Sequence, residues 1–185
     1  REVVEKKENQ EGIEECCTFL QRAYCEATNK TEELGFSDWE STYLHGDWHP
    51  GNLLFSGGVI SSVLDFDCAR CEPRVVEFAN AILQFSMCMG STQSLQSWPK
   101  GLDVSLIESI ATGYQAASGR ALAQAECQAI PWLMIEAIIA ESVYPIAATG
   151  TFGSLRGSDF LSVVREKVRW IRRRATSLVE RLETS

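Results

Sequence analysis

Residues 42–55 read Thr-Tyr-Leu-His-Gly-Asp-Trp-His-Pro-Gly-Asn-Leu-Leu-Phe. Asp47 and Asn52 stand five apart, and Asp65 follows thirteen after Asn52, within Leu64-Asp65-Phe66-Asp67. Phosphoryl transfer from a nucleotide needs one carboxylate to take the proton of an acceptor hydroxyl, and oxygen ligands to hold a cation on the phosphates. Asp47 is the candidate for the first task, Asn52 and Asp65 for the second. Magnesium suits such a set because it is a hard ion that takes carboxylate and amide oxygens and leaves positions for water and phosphate. The assignment requires the three side chains to converge in space.

The elements around these residues must bring them together. Residues 53–55 and 59–66 are apolar, strand-length runs joined by Ser56-Gly57-Gly58, a sequence suited to a tight hairpin. That hairpin would make Asn52 and Asp65 neighbours. The rest of the chain reads as helix. Ile13, Cys16, Cys17, Leu20, Ala23, Tyr24 and Ala27 give residues 3–28 a buried face, and Asn29 and Lys30 suit its end. Pro73 fits a first helical turn, followed by Val76, Ala79, Ile82, Leu83 and Ser86, with Gly90 as the stop and a loop over 90–101. Asp103 or Ser105 caps the next helix, Ser105 with Glu108 matching a capping box, and Gly119 ends it. Residues 123–129 read as helix, and Pro131 opens another that is apolar nearly all round to residue 148. Glu136, Glu141 and Pro145 interrupt it, so a buried core helix is expected rather than a membrane span. Glu136 and Glu141 lie about 140° apart on a helical wheel and are not expected to share one pocket easily. The last helix carries Phe160, Val164, Val168, Ile171, Ala175, Leu178 and Leu182 inward, and Arg165, Arg169 and Arg172 on a face expected to be solvated.

The order His45-Gly46-Asp47 with Asn52, and Leu64-Asp65-Phe66-Asp67 after a glycine hairpin, resembles the catalytic loop and metal motif of the aminoglycoside phosphotransferase and choline kinase family, a branch of the protein-kinase-like fold. The resemblance implies Asp47 as catalytic base, Asn52 and Asp65 as magnesium ligands that also fix the nucleotide phosphates, and His45 as the residue that packs under and orients the loop. His49 matches a frequent family residue that contacts acceptor or phosphate, or else braces the loop. Asp67 would assist the metal from behind. Glu77-Phe78-Ala79 resembles the family's Asp-Leu-Ala, whose acid braces the loop; Glu is one methylene longer, so an exposed helical Glu is the alternative. Residues 114–131 are similar to the homoserine kinase-like branch. The implied cofactors are Mg2+ and ATP or GTP, and the implied acceptor is a small hydroxylated molecule: an aminoglycoside, choline, homoserine or a similar alcohol.

The implied fold is mainly α with a small β-hairpin (α+β), the C-terminal lobe of a protein-kinase-like phosphotransferase over residues 1–185. Nothing in the sequence reads as the phosphate-covering loop or strand-borne lysine of the family's nucleotide lobe. A missing N-terminal nucleotide lobe would leave the isolated chain inactive, without tight metal, and prone to self-association through an uncovered apolar face near Leu44, Leu54 and Phe66.

Composition agrees with one globular domain: 185 residues, 45% hydrophobic. The formal charge of -8 argues against nucleic acid or an anionic membrane as partner. Seven cysteines, an odd number set mostly in apolar runs, point to reduced thiols in a cytoplasmic protein. Two further readings stay open: a lobe that kept the fold as a non-catalytic binding or scaffolding unit, and a metal or redox module on Cys68 and Cys71.

Overall fold

The computed structural model describes residues 2–88 and 95–184. Helix α1 (Glu2–Glu33) leads into strand β1 (Ser41–Leu44), the hairpin strands β2 (Leu53–Ser56) and β3 (Val59–Val63), and β4 (Arg70–Pro73). Helices α2 (Arg74–Ser86), α3 (Val104–Ser118) and α4 (Gln124–Thr149) follow, then the short pair β5 (Thr151–Phe152) and β6 (Leu155–Arg156), and finally α5 (Gly157–Thr184). The fold is thus mostly helical with small antiparallel sheets.

The core forms around α4, which packs against α5, α1 and α2. By length and composition α4 could cross a membrane, yet Ile130, Leu133, Met134, Ile135 and Ile138 are buried against its neighbours. It is one helix from Gln124 to Thr149, with Pro131 inside it rather than opening a second one. An internal proline costs about 3 kcal/mol. Burying each large apolar side chain gains about 1.5–3 kcal/mol, so the apolar residues flanking Pro131 keep the helix continuous.

Other boundaries also moved. Helix α1 runs to Glu33 and stops where Gly35 takes φ 83°. Cys16, Leu20, Ala23 and Ala27 face the core, whereas Ile13, Cys17 and Tyr24 do not. Asp103 caps α3 by accepting from the N–H groups of Ser105 (2.9 Å) and Leu106 (3.3 Å), and Glu108 pairs with Arg181 instead of closing a capping box. Helix α2 ends at Ser86, before Gly90, which lies outside the described residues along with part of the expected 90–101 loop. The basic face of α5 is not simply solvated. Arg172 pairs with Glu26 of α1 at 2.6 Å, and the guanidinium groups of Arg169 and Arg172 lie 5.1 and 5.9 Å from the ring centre of Phe19.

Two polar links were not read from the sequence. Lys167, 1% exposed, donates to the carbonyls of Gly101 (2.6 Å) and Cys88 (3.3 Å), and burial pushes its pKa down. Arg74, at the start of α2, grips Glu126 through Nε (2.8 Å) and Nη2 (2.7 Å) while reaching the carbonyls of Arg120 and Ala121. That grip fixes the α3–α4 connection against the end of β4.

Candidate active site

The loop from His45 to Asn52 hangs between two antiparallel pairs. On one side β1 pairs with β4, Leu44 opposite Arg70; on the other β2 pairs with β3, Leu53 opposite Val63. Gly57 and Gly58 take φ 60° and 82° in the hairpin turn, a geometry that glycine adopts without a Cβ penalty. Residues 64–66, expected to extend β3, instead leave the strand. Asp65 takes φ 63°, the one positive φ of a non-glycine residue among those described. Aspartate tolerates this region better than most residues, but such outliers cluster at functional sites.

His45 holds the loop to this strand end. It is buried, and its Nε2 lies 2.7 Å from the Leu64 carbonyl, so Nε2 carries the proton and donates. Nδ1 then accepts from the Asp47 N–H at 3.3 Å. The ring lies 4.4 Å from that of Phe66 and 5.6 Å from that of Trp48. One neutral imidazole thereby links the Asp47 backbone to the strand that carries Asp65.

Asn52 ties the loop to itself. Its Nδ2 donates to the Asp47 carbonyl (2.9 Å) and to Asp47 Oδ2 (3.0 Å). Both bonds use the amide nitrogen, which leaves the amide oxygen as the atom available to a cation. The Leu64 N–H donates to the Asn52 carbonyl at 2.9 Å, so Asp65 follows directly on a residue bonded to Asn52. Asp65 and Asp67 are both exposed. Among the described residues, no three His, Cys, Asp or Glu side chains cluster to hold a metal ion by themselves. An amide oxygen with one carboxylate is a hard but sparse donor set, suited to an ion that takes its other ligands from water and phosphate.

His49 braces the loop: Nδ1 accepts from the Gly51 N–H at 3.0 Å, and Nε2 lies 3.5 Å from Asp47 Oδ2. Gly46, φ 82°, has no room for a side chain, since a Cβ there would sit 2.1 Å from the Cys68 carbonyl oxygen. Its N–H donates to Glu77 Oε1 at 2.8 Å, and its carbonyl accepts from Arg70 at 3.0 Å. Glu77 therefore reaches the loop despite its extra methylene. Cys68 and Cys71 are exposed free thiols.

Beside Gly46 opens a cavity of about 490 Å³ between α1, α2 and α4, lined among others by Tyr24, Phe36, Asn80, Glu136 and Glu141. Both acids line it, contrary to expectation. Leu133, Ala137 and Ala140 form the middle of the arc of α4 that lines the cavity, and the two carboxylates stand at its edges, so one wide cavity spans the angle that separates them. Gln84 donates to Glu141. Loss of water around its carboxyl, then the Asp47 charge, pushes Glu141 up to about 7.

Residues 7–126 match the model of the phosphotransferase enzyme family. The chain belongs to that family. The matched span holds the whole loop, the hairpin and the Asp65 motif, and a phosphotransferase of this family has a kinase-like fold and transfers phosphate. No curated protein and no solved structure gives a match to the chain. The phosphotransferase's α4 beyond Glu126, together with α5, lies outside the matched residues.

Proposed function

We propose that the protein phosphorylates a hydroxyl of a small molecule with ATP or GTP as donor, and that this chain supplies the catalytic and acceptor-binding lobe. The observation that carries the reading is the pair of hydrogen bonds that Asn52 donates to the backbone carbonyl and the carboxylate of Asp47, in a loop held from below by His45 and Glu77. Asp47 Oδ1 is left to accept the hydroxyl proton, while Asn52 keeps the carboxylate from rotating away. Proximity of this kind is a large share of catalysis in phosphoryl transfer. Asn52 and Asp65 would hold magnesium, which neutralises charge on the transferred phosphate when bound.

The acceptor would lie in the cavity beside Gly46, which reaches from the loop to Glu136. The hairpin exposes Leu54, Phe55, Val59 and Ile60 across its two faces, apolar surface suited to covering by a nucleotide-holding lobe. The test is transfer of a radiolabelled terminal phosphate from ATP and GTP to a panel of amino alcohols, sugars and aminoglycosides, with and without magnesium. Labelled product that forms only with magnesium supports the proposal. Nucleotide-dependent product in the absence of any divalent ion contradicts it.

A further inference from the structure

Arg165, Arg169 and Arg172 stand at i, i+4 and i+7 on α5, and their partners differ. Arg172 pairs with Glu26 at 2.6 Å and Arg169 with Glu166 at 2.7 Å. Arg165 has neither an ion pair nor a hydrogen bond among the described residues, although it is half-buried. Its Nε is shielded from solvent, so the terminal nitrogens are the donors left to an occupant.

The second observation is the space beside it. Arg165 lines a cavity of about 300 Å³ between α5 and residues 95–100, a volume at the small end of ligand sites. Trp98, Pro99 and Val163 supply apolar wall, the Trp98 ring being 7% exposed and set edge-on against Phe160. Lys100 lines the same cavity. Its acids are already balanced: Glu166 is shared by Arg169 and by Lys100 at 3.5 Å, and Asp159 stands in the first turn of α5, where the helix N–H groups offset its charge. Asp159 is also six residues, about 9 Å along the helix, from Arg165.

A charge withdrawn from water is costly unless it is paired. Lys167, on the same helix, meets that cost with two backbone carbonyls and a lowered pKa. Arg165 has no such carbonyls, and a guanidinium does not shed its proton. It calls for an anion, and its planar fork matches the paired oxygens of a carboxylate or a phosphate.

We infer that Arg165, with Lys100 and the ring of Trp98, forms a binding site for a small oxyanion carried on an aromatic or other apolar body, a carboxylate or a phosphate ester. None of its residues lines the cavity beside Gly46, and α5 lies beyond the residues that match the family model, so the site stands apart from the phosphotransfer reading.

The test is calorimetric titration of the protein, free of nucleotide and magnesium, with benzoate and phenyl phosphate beside the uncharged benzamide. At least one of the two anions is expected to bind about tenfold tighter than benzamide or better, and which one does so tells a carboxylate from a phosphate ester. In Arg165→Gln that preference should fall to near unity, whereas Arg173→Gln, which removes an exposed charge from the same helix, should keep it. Should Arg165→Gln fail to fold, Lys100→Gln decides in its place: its side chain is 74% exposed, and its loss should reduce the preference about twofold or more. The site is wrong if neither anion outbinds benzamide, if the preference is undiminished in the deciding variant, or if Arg173→Gln abolishes it equally.

Discussion

Glu77 Oε1 accepts the Gly46 N–H at 2.8 Å, so the first turn of α2 holds the backbone of the loop that carries Asp47. Replacing Glu77 by Ala leaves that N–H without its partner, which costs about 1–3 kcal/mol. Urea unfolding of Glu77→Ala should show this loss, and Glu77→Gln should show less of it, because the amide oxygen can still accept. A change within about 0.5 kcal/mol, as for an ordinary surface residue, would mean that the contact contributes nothing.

Gly46 gives a sharper contrast. Gly46→Ala places a Cβ against the Cys68 carbonyl at a positive φ, whereas Gly57, also at positive φ, has open space around it. Both substitutions carry the backbone penalty, but only the first also clashes. Gly46→Ala should therefore cost at least about 2 kcal/mol more than Gly57→Ala in the same unfolding experiment.

Glu141 predicts a pH dependence. Glu141 is exposed as a residue, but atoms crowding its carboxyl strip it of water and, with Asp47, raise it from the ordinary value of 4.5 to about 7. A carboxyl whose folded pKa lies above its unfolded one binds the proton more tightly in the folded state, so its favourable contribution is present in acid and is lost as pH rises through about 7. Glu141→Gln removes the charge permanently. It should raise Tm near pH 8 and change it little near about pH 5. An equal shift at both values would show that the charge is not the cause.

The exposed apolar side chains of the hairpin predict association. Phe55 and Ile60, both more than half exposed, face each other across β2 and β3. Sedimentation of the 185-residue chain should show concentration-dependent self-association that the double substitution Phe55→Ser, Ile60→Ser reduces. A monomer at all concentrations would rule out that role. Of the three residues expected in an uncovered apolar face, Leu54 and Phe66 are exposed, whereas Leu44 is buried, because β1 pairs with β4 and turns it inward.

Local signals in the sequence located most of the loop and its supports. The hairpin was legible because Gly57-Gly58 sits between two apolar runs, and the helices because their apolar residues recur with helical period. What escaped depends on distant partners. Strand β4 was hidden because Arg70–Pro73 has no alternating pattern of its own and becomes a strand only by pairing with Ser41–Leu44. Continuity through Pro131 was missed because local propensity says stop, while burial on three sides says continue. Lys167 had no visible signal, since its partners are two backbone carbonyls far away in the chain. Glu136 and Glu141 were judged by a helical wheel, which gives angles but not the width of the cavity they face.

The central claim is that Asp47 is the base of a magnesium-dependent phosphoryl transfer. The direct measurement is transfer of labelled phosphate to a bound hydroxylated acceptor by the protein, compared with the same protein bearing Asp47→Asn. That substitution keeps the shape of the side chain and its place beside Asn52 but removes the base. Turnover is predicted to fall by about 10²–10⁴-fold while acceptor affinity, measured by calorimetry, stays within about twofold. Transfer that proceeds undiminished in Asp47→Asn would contradict the account.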